Sequence, residues 1–227
     1  GLPVIVQLIG RDPDALTECA VSLEQSGIRA VNLNLACPSP TVTAHGAGGA
    51  LLRDPERVRT IVRTVRNALK STTSLSVKLR TGYSNVDLPR LIGAVEGAEF
   101  ILLHHRTVQE NYRSVPDGWK RLSEAVRLSP VPVFGNGDIA SPDDAVRMVG
   151  QTGCAGVALA RAFLKNPGLL NAIRNPSTNP LTPLQMLEEM ERAGSPQGPL
   201  REFARRALPP DGFRRFLKRD LVRDLET

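Results

Sequence analysis

A chain of 227 residues, 41% hydrophobic and 23% charged, has the composition of an ordinary globular protein and the length for one large domain with a small appendage. It has no apolar run of membrane-spanning length and no signal-peptide pattern, which predicts a cytoplasmic protein without a membrane partner, and its three scattered cysteines (Cys19, Cys37, Cys154) form neither a disulfide framework nor a metal site. The net charge of +6 fits an anionic partner such as nucleic acid and a merely solvated basic surface about equally, and 4% aromatic content argues against a binder that works mainly by stacking bases.

In chain order, short β-branched runs predict strands over Val4 to Leu8, Ala30 to Leu35, Leu75 to Leu79, Phe100 to His104, Val131 to Phe134 and Gly156 to Leu159. Helical patterns separate them. The clearest follows Asp54-Pro55, a cap and first-turn pair, with Val58, Ile61, Val62, Val65 and Leu69 on one face and Arg57, Arg59, Arg63, Arg66 and Lys70 on the other. A second helix, Ser141 to Gly150, opens with acids at its positive end. Apolar strands alternating with helices imply a parallel sheet, covered on both faces or closed into a barrel. The pattern stops near Asn171, "NPSTNPLTP" reads as a linker, and the remainder is helical and basic. Between Leu200 and Arg219 seven Arg or Lys residues face only Glu202 and Asp211, above an apolar stripe of Phe213, Phe216, Leu217 and Leu221.

Each predicted strand ends in a polar or reactive group, as the strands of an α/β barrel do where they build a site. In order these are Gln7, Asn34 with Cys37, Lys78 with Arg80, His104 with Arg106, Asn136 with Asp138, and Arg161. Singly they are weaker signals. Lys78 alone is better explained by a stem that carries its charge to water. His104 and His105 are adjacent, so on a strand they point to opposite faces, and one of them is expected to be structural or exposed. The glycines of "HGAGGALL" read as a flexible or tightly turned loop, whereas "FGNGDI" and "GVALAR" are the better phosphate candidates.

"LNLACPSP", "GAGGALLRDPERV", "VKLRTGY", "LLHHRTVQENY", "VFGNGDIASPDDA" and "GVALARAFLKNP" together resemble, in order and spacing, the motifs of the tRNA dihydrouridine synthases. The resemblance implies a TIM (β/α)8 barrel that holds FMN over residues 1–172 and a helical tRNA-binding domain over residues 173–227. It implies a monomer that reduces tRNA uridines to dihydrouridine with NADPH. A thiol of ordinary pKa, about 8.5, is protonated at neutral pH. By resemblance Cys37 is the general acid, Asn34 and Arg80 bind the uracil, and Gln7, Lys78 and His104 meet the flavin ring. Asn136, Gly137, Asp138, Ala160 and Arg161 fall where the family holds the rest of the cofactor. Arg201, Arg205, Arg206, Arg214, Arg215 and Lys218 are the candidates for gripping the RNA backbone.

Two departures stand out. The family's "HGRT" is "HHRT" here, so His105 replaces a glycine, and an added side chain would crowd the flavin if the backbone approaches it closely there. Six strands of the eight in a closed barrel are present, and the chain begins at what corresponds to strand three, as a fragment, a misplaced start or a lineage loss would. Two other functions follow: a flavin-free RNA-binding or structural relic of the family, or a flavin barrel acting on free pyrimidines, which leaves the basic tail unexplained.

Overall fold

The computed structural model describes residues 4–175, 182–195, 203–205 and 207–212. These fall into two compact units, one within Gly1–Gly137 and Val146–Ala158, the other within Asp138–Ala145 and Leu159–Thr227.

The first unit carries six strands: β1 (Val6–Leu8), β2 (Ala30–Asn34), β3 (Ser74–Arg80), β4 (Phe100–His104), β5 (Val133–Asn136) and β6 (Gly156–Ala158). All are parallel and lie side by side in chain order. This is the singly wound α/β arrangement of a partial TIM barrel, with β1 and β6 at the two ends of the sheet among the described residues. Each expected strand is present. The fifth runs two residues further along the chain than its β-branched run suggested, which makes Asn136 its last residue.

Alternation gives the sheet two different faces. Val31, Leu75, Val77, Leu79, Ile101, Leu103 and Val133 are buried on the face that the helices cover. In-register neighbours then place three polar rows on the other face. Gln7, Asn32 and Ser76 form the first, Asn34 and Lys78 the second, and Arg80, His104 and Asn136 the third, nearest the strand exits. Phe100 and Phe134 meet edge to face at 5.5 Å on the same side.

Helix α1 (Pro13–Gln25) begins at Asp12, whose carboxylate accepts from Asp14 N and Ala15 N. After α2 (Pro40–Ala44) comes α3 (Pro55–Ala68), capped by Asp54 as its sequence predicts, with Val58, Ile61, Val62 and Val65 buried. Its basic face is not simply solvated. Arg66 reaches the carbonyls of Leu69, Lys70 and Thr73 and so closes the helix C-terminus. Helices α4 (Leu88–Ala94) and α5 (Gly118–Leu128) continue the layer, α1 packing on α3, α3 on α4 and α4 on α5. Helix α6 (Pro142–Thr152) opens with Asp143 and Asp144, one residue later than expected.

The second unit holds α7 (Arg161–Lys165), α8 (Leu169–Arg174) and α9 (Pro183–Arg192). Thr182 and Gln185 form a reciprocal capping box at the start of α9. Leu187 and Ala204 are fully buried against Met190, Phe203 and Leu208. The stripe expected from Phe213 to Leu221 lies outside the described residues. No helix among the described residues is long and apolar enough to cross a membrane.

Candidate active site

Beyond Asn34 the second strand opens, and the chain folds back on the side chain it has just passed. Asn34 Oδ1 accepts from Ala36 N at 3.1 Å and from Cys37 N at 3.0 Å, a local turn that lifts the cysteine out of the sheet. The Cys37 carbonyl accepts from Gly49 N at 2.9 Å. The sulfur-bearing residue is thereby fixed on both sides of its Cα and left half-buried, whereas Cys19 is exposed on α1 and Cys154 is buried.

The glycines of "HGAGGALL" form the tightly turned alternative, a 3-10 turn over Gly48–Arg53 that is buried from Gly48 to Leu52. A Cβ on Gly48 would lie 3.0 Å from Cys37 Cβ, and one on Gly49 would lie 3.0 Å from the Cys37 oxygen. Both positions are closely packed: Val42 and Cys37 leave no room for a Cβ on Gly48, whose φ of 58° also favours glycine, and Val108 and Cys37 leave none on Gly49.

Arg80 sits under the same segment, 3% exposed. Its Nε donates to Ala36 O at 3.0 Å, and its Nη1 donates to Thr107 O and Asn111 O, each at 2.9 Å. One guanidinium thus ties the exit of β2 to the exit of β4 and keeps Nη2 for another acceptor. The exposed ring of Tyr112, the last residue of the "LLHHRTVQENY" motif, lies 5.7 Å from this guanidinium. Lys78, half-buried in the middle row, has its pKa lowered by burial and by the Arg80 charge, with Cys37 acting in the opposite direction.

His104 closes the upper row. Burial first, then the cations Arg80, Lys78 and Arg106 and the neighbouring His105, drive its pKa down to about 2. It is therefore a neutral imidazole at physiological pH. Its Nδ1 accepts from Arg106 N at 3.3 Å, which puts the ring proton on Nε2 and makes that nitrogen a donor.

His105 is the structural member of the pair, as expected of one of the two histidines. Strand β4 ends at His104, so alternation stops there and both rings are buried, their centroids 5.3 Å apart. A Cβ on Gly118 would stand 2.5 Å from the His105 ring and one on Gly137 2.8 Å from it. The extra side chain is turned into the protein, into space left by two glycines.

The loop after β4 is braced from within. Glu110 accepts from Thr107 N at 2.7 Å and pairs with Arg121 at 2.7 Å, and the Arg121 hydrogen bond holds its pKa down to about 2. Arg106 Nε donates to Arg113 O in the same loop.

Asn136 donates to Ala158 O at 2.6 Å, joining β5 to β6, and Gly137 follows with a left-handed φ of 112°. Asp138, with φ 56°, and Ala160 and Arg161 belong to the second unit and are exposed there, Arg161 as the first residue of α7. Of the candidate RNA-gripping residues Arg205 is exposed in the second unit, whereas Arg201, Arg206, Arg214, Arg215 and Lys218 lie outside the described residues. Among the described residues no cluster of side chains suits a metal ion.

The face thus brings Gln7, Asn34, Cys37, Lys78, Arg80, His104 and Asn136 together in one unit. Sequence reading missed Asn32 and Ser76 beneath them. Their signal was available: each lies two residues before a chosen residue and so on the same face.

The family model described as "Dihydrouridine synthase (Dus)" matches residues 2–208. The tRNA-dihydrouridine(16) synthase of Haemophilus influenzae is 35% identical over 77% of this chain and 57% of its own length. That of Salmonella typhimurium is 32% identical over 86% of this chain and 65% of its own. The chain therefore spans 57% and 65% of these two relatives. Among solved structures, a putative dihydrodipicolinate synthase family protein from Coccidioides immitis shares the fold with a TM-score of 0.57, 14% identity and coverage of 88% of this chain and 75% of that one. Histamine dehydrogenase from Rhizobium sp. 4-9 does so with a TM-score of 0.55, 19% identity and coverage of 72% and 27%.

Proposed function

Because the chain belongs to the dihydrouridine synthase family, we propose that it reduces uridine in tRNA to 5,6-dihydrouridine, with FMN as cofactor, NADPH as reductant and Cys37 as proton donor. The observation that carries this reading is the half-buried Cys37, fixed by Asn34 and Gly49 at the end of a polar sheet face that also carries Lys78, Arg80 and His104.

The residues present fit the ring end of FMN. An isoalloxazine offers carbonyl oxygens and ring nitrogens as acceptors, and the face offers donors: Gln7, Lys78 and His104 Nε2–H. Gly137 supplies close backbone approach at the edge of the same face, where a side chain would strike both histidines. Asn136 and Gly137, in the first unit, are candidates for the ribityl end, and Asp138, Ala160 and Arg161 are candidates by resemblance alone. FMN, when bound and reduced by NADPH, supplies the hydride that uracil accepts at C6.

The chain's own residues supply the rest. The Cys37 thiol gives its proton to C5, and the thiolate left behind is reprotonated from water. Negative charge developing on a uracil carbonyl is met by the Lys78 ammonium and the Asn34 amide N–H. Arg80 meets the base through Nη2 while its other nitrogens hold the loops. A uridine in folded RNA must leave its stack, at a cost of about a few kcal/mol. Contacts from the basic residues Arg201, Arg205, Arg206, Arg214, Arg215 and Lys218 to phosphates offset that cost. The names of the relatives make position 16 the first target to examine.

The test is incubation of the protein with FMN, NADPH and unmodified tRNA, followed by mapping of dihydrouridine. Dihydrouridine at one or a few defined sites supports the proposal. Flavin binding with reduction of free uracil but not of tRNA favours a free-pyrimidine enzyme, and a protein that takes up no FMN overturns the assignment.

A further inference from the structure

Beneath the candidate proton donor lies a continuous run of side-chain hydrogen bonds across three strands. Ser76 Oγ donates to Val31 O at 3.3 Å and accepts from Asn32 Nδ2 at 2.8 Å. Asn32 Oδ1 accepts from Gln7 Nε2 at 2.7 Å, and Gln7 Oε1 accepts from Asn34 Nδ2 at 2.8 Å. Asn34 Oδ1 then accepts from the backbone of Ala36 and Cys37. Asn32 and Ser76 are 2% and 1% exposed, so their polar groups need partners inside the protein.

The direction of every bond is determined at the ends. Backbone N–H groups only donate, so the Asn34 atom facing Ala36 and Cys37 is its oxygen, and the atom facing Gln7 is its nitrogen. Gln7 must then present oxygen to Asn34 and nitrogen to Asn32. Asn32 presents oxygen to Gln7 and nitrogen to Ser76. The far end agrees, since the Ser76 hydroxyl, having accepted, donates to a carbonyl that only accepts. Turning any one amide over would set donor against donor and acceptor against acceptor, the arrangement a buried network penalises most.

We infer that Ser76, Asn32, Gln7 and Asn34 form one relay of fixed polarity that positions Cys37, with Asn32 and Ser76 as positioning residues that touch neither substrate nor cofactor. The relay also decides what Asn34 can recognise. Both lone pairs of its oxygen are used on backbone N–H groups and one amide hydrogen is used on Gln7. A single N–H remains, so the group Asn34 meets is an acceptor, the carbonyl oxygen of a pyrimidine ring, and not the ring's imide N–H. The catalytic consequence rests on the proposed function, but the positioning of Cys37 does not.

Hydrogen exchange of the Cys37 backbone amide, measured in the full chain without cofactor or RNA, reads the relay directly. Asn32→Leu keeps the volume and removes the acceptor for Gln7. It should raise exchange at Cys37 about tenfold while amides of α3 and α5 keep their protection. Asn32→Asp restores that acceptor, with Gln7 and Ser76 as its donors, and should return exchange to within about threefold of the parent, a rescue that a merely space-filling role would not need. If Asn32→Leu does not fold, Gln7→Leu, at the exposed middle of the relay, breaks both neighbouring links and should produce the same local rise. Cys37 exchange unchanged in the folded variant, or equal in the Leu and Asp variants, overturns the relay whatever the protein proves to catalyse.

Discussion

Arg80 donates from Nε to the carbonyl oxygen of Ala36 at 3.0 Å, one residue before Cys37 and forty-four positions away in sequence. The same guanidinium holds Thr107 and Asn111 across the sheet. Arg80→Met, which keeps most of the stem and removes the donors, should cost about 2–4 kcal/mol in urea unfolding, because buried carbonyls lose charge-assisted partners. Loss of less than about 0.5 kcal/mol would show that these hydrogen bonds do not hold the two loops.

Gly49 isolates the steric argument, since it has no left-handed φ to confound it. A Cβ there would lie 2.7 Å from a Val108 methyl and 3.0 Å from the Cys37 oxygen. Gly49→Ala should destabilise by about 1–3 kcal/mol, the usual cost of forcing a methyl into a packed site. Alkylation at Cys37, followed by peptide mass spectrometry, should change in rate because the Gly49–Cys37 hydrogen bond is displaced. An unchanged melting temperature and thiol reactivity would contradict the close-approach explanation.

His104 gives a pH signature. Its ordinary pKa is 6.5 and its folded value is lowered to about 2, chiefly by burial. Between these values the unfolded chain takes up a proton that the folded chain refuses, so stability falls as pH drops below about 6.5. His104→Gln removes this titration and should flatten that part of the stability profile. NMR at pH 5 should still show a neutral ring with the proton on Nε2.

Glu110 acts in a lower window. The Arg121 hydrogen bond takes its pKa from 4.5 to about 2, so the stabilisation is present above 4.5 and is lost as pH falls towards about 2. Glu110→Gln should lose that dependence and loosen the loop that carries Tyr112. Identical acid unfolding of the two proteins would show that the pair contributes nothing to the loop.

Much of the fold was legible because it is local. Asp54-Pro55 marks a helix start by its own chemistry, and Ala30 to Leu35 marks a strand by its own apolar run. The site was legible at the level of strand exits, where Asn34, Cys37, Lys78 and His104 emerge from family motifs. What the residues did not announce depends on distant partners. Arg80 has the pattern of a substrate ligand until Ala36, Thr107 and Asn111 are seen to claim two of its nitrogens. Gly48 and Gly49 read as loop because a glycine signals freedom without saying what packs against it. That one of His104 and His105 is structural is legible, but the space His105 fills depends on Gly118 and Gly137, further along the chain. Asn32 and Ser76 resembled ordinary polar strand residues until Gln7, from another strand, joined them to Asn34.

The most direct measurement is dihydrouridine formation by Cys37→Ala in the FMN-loaded protein with NADPH and tRNA. The flavin absorbance should be retained, since Cys37 is not among the residues proposed to hold the cofactor, while reduction of uridine should fall by about 10²–10⁴-fold, the usual contribution of a general acid. Turnover equal to that of the parent, with flavin retained, would contradict the assignment of Cys37 as the proton donor.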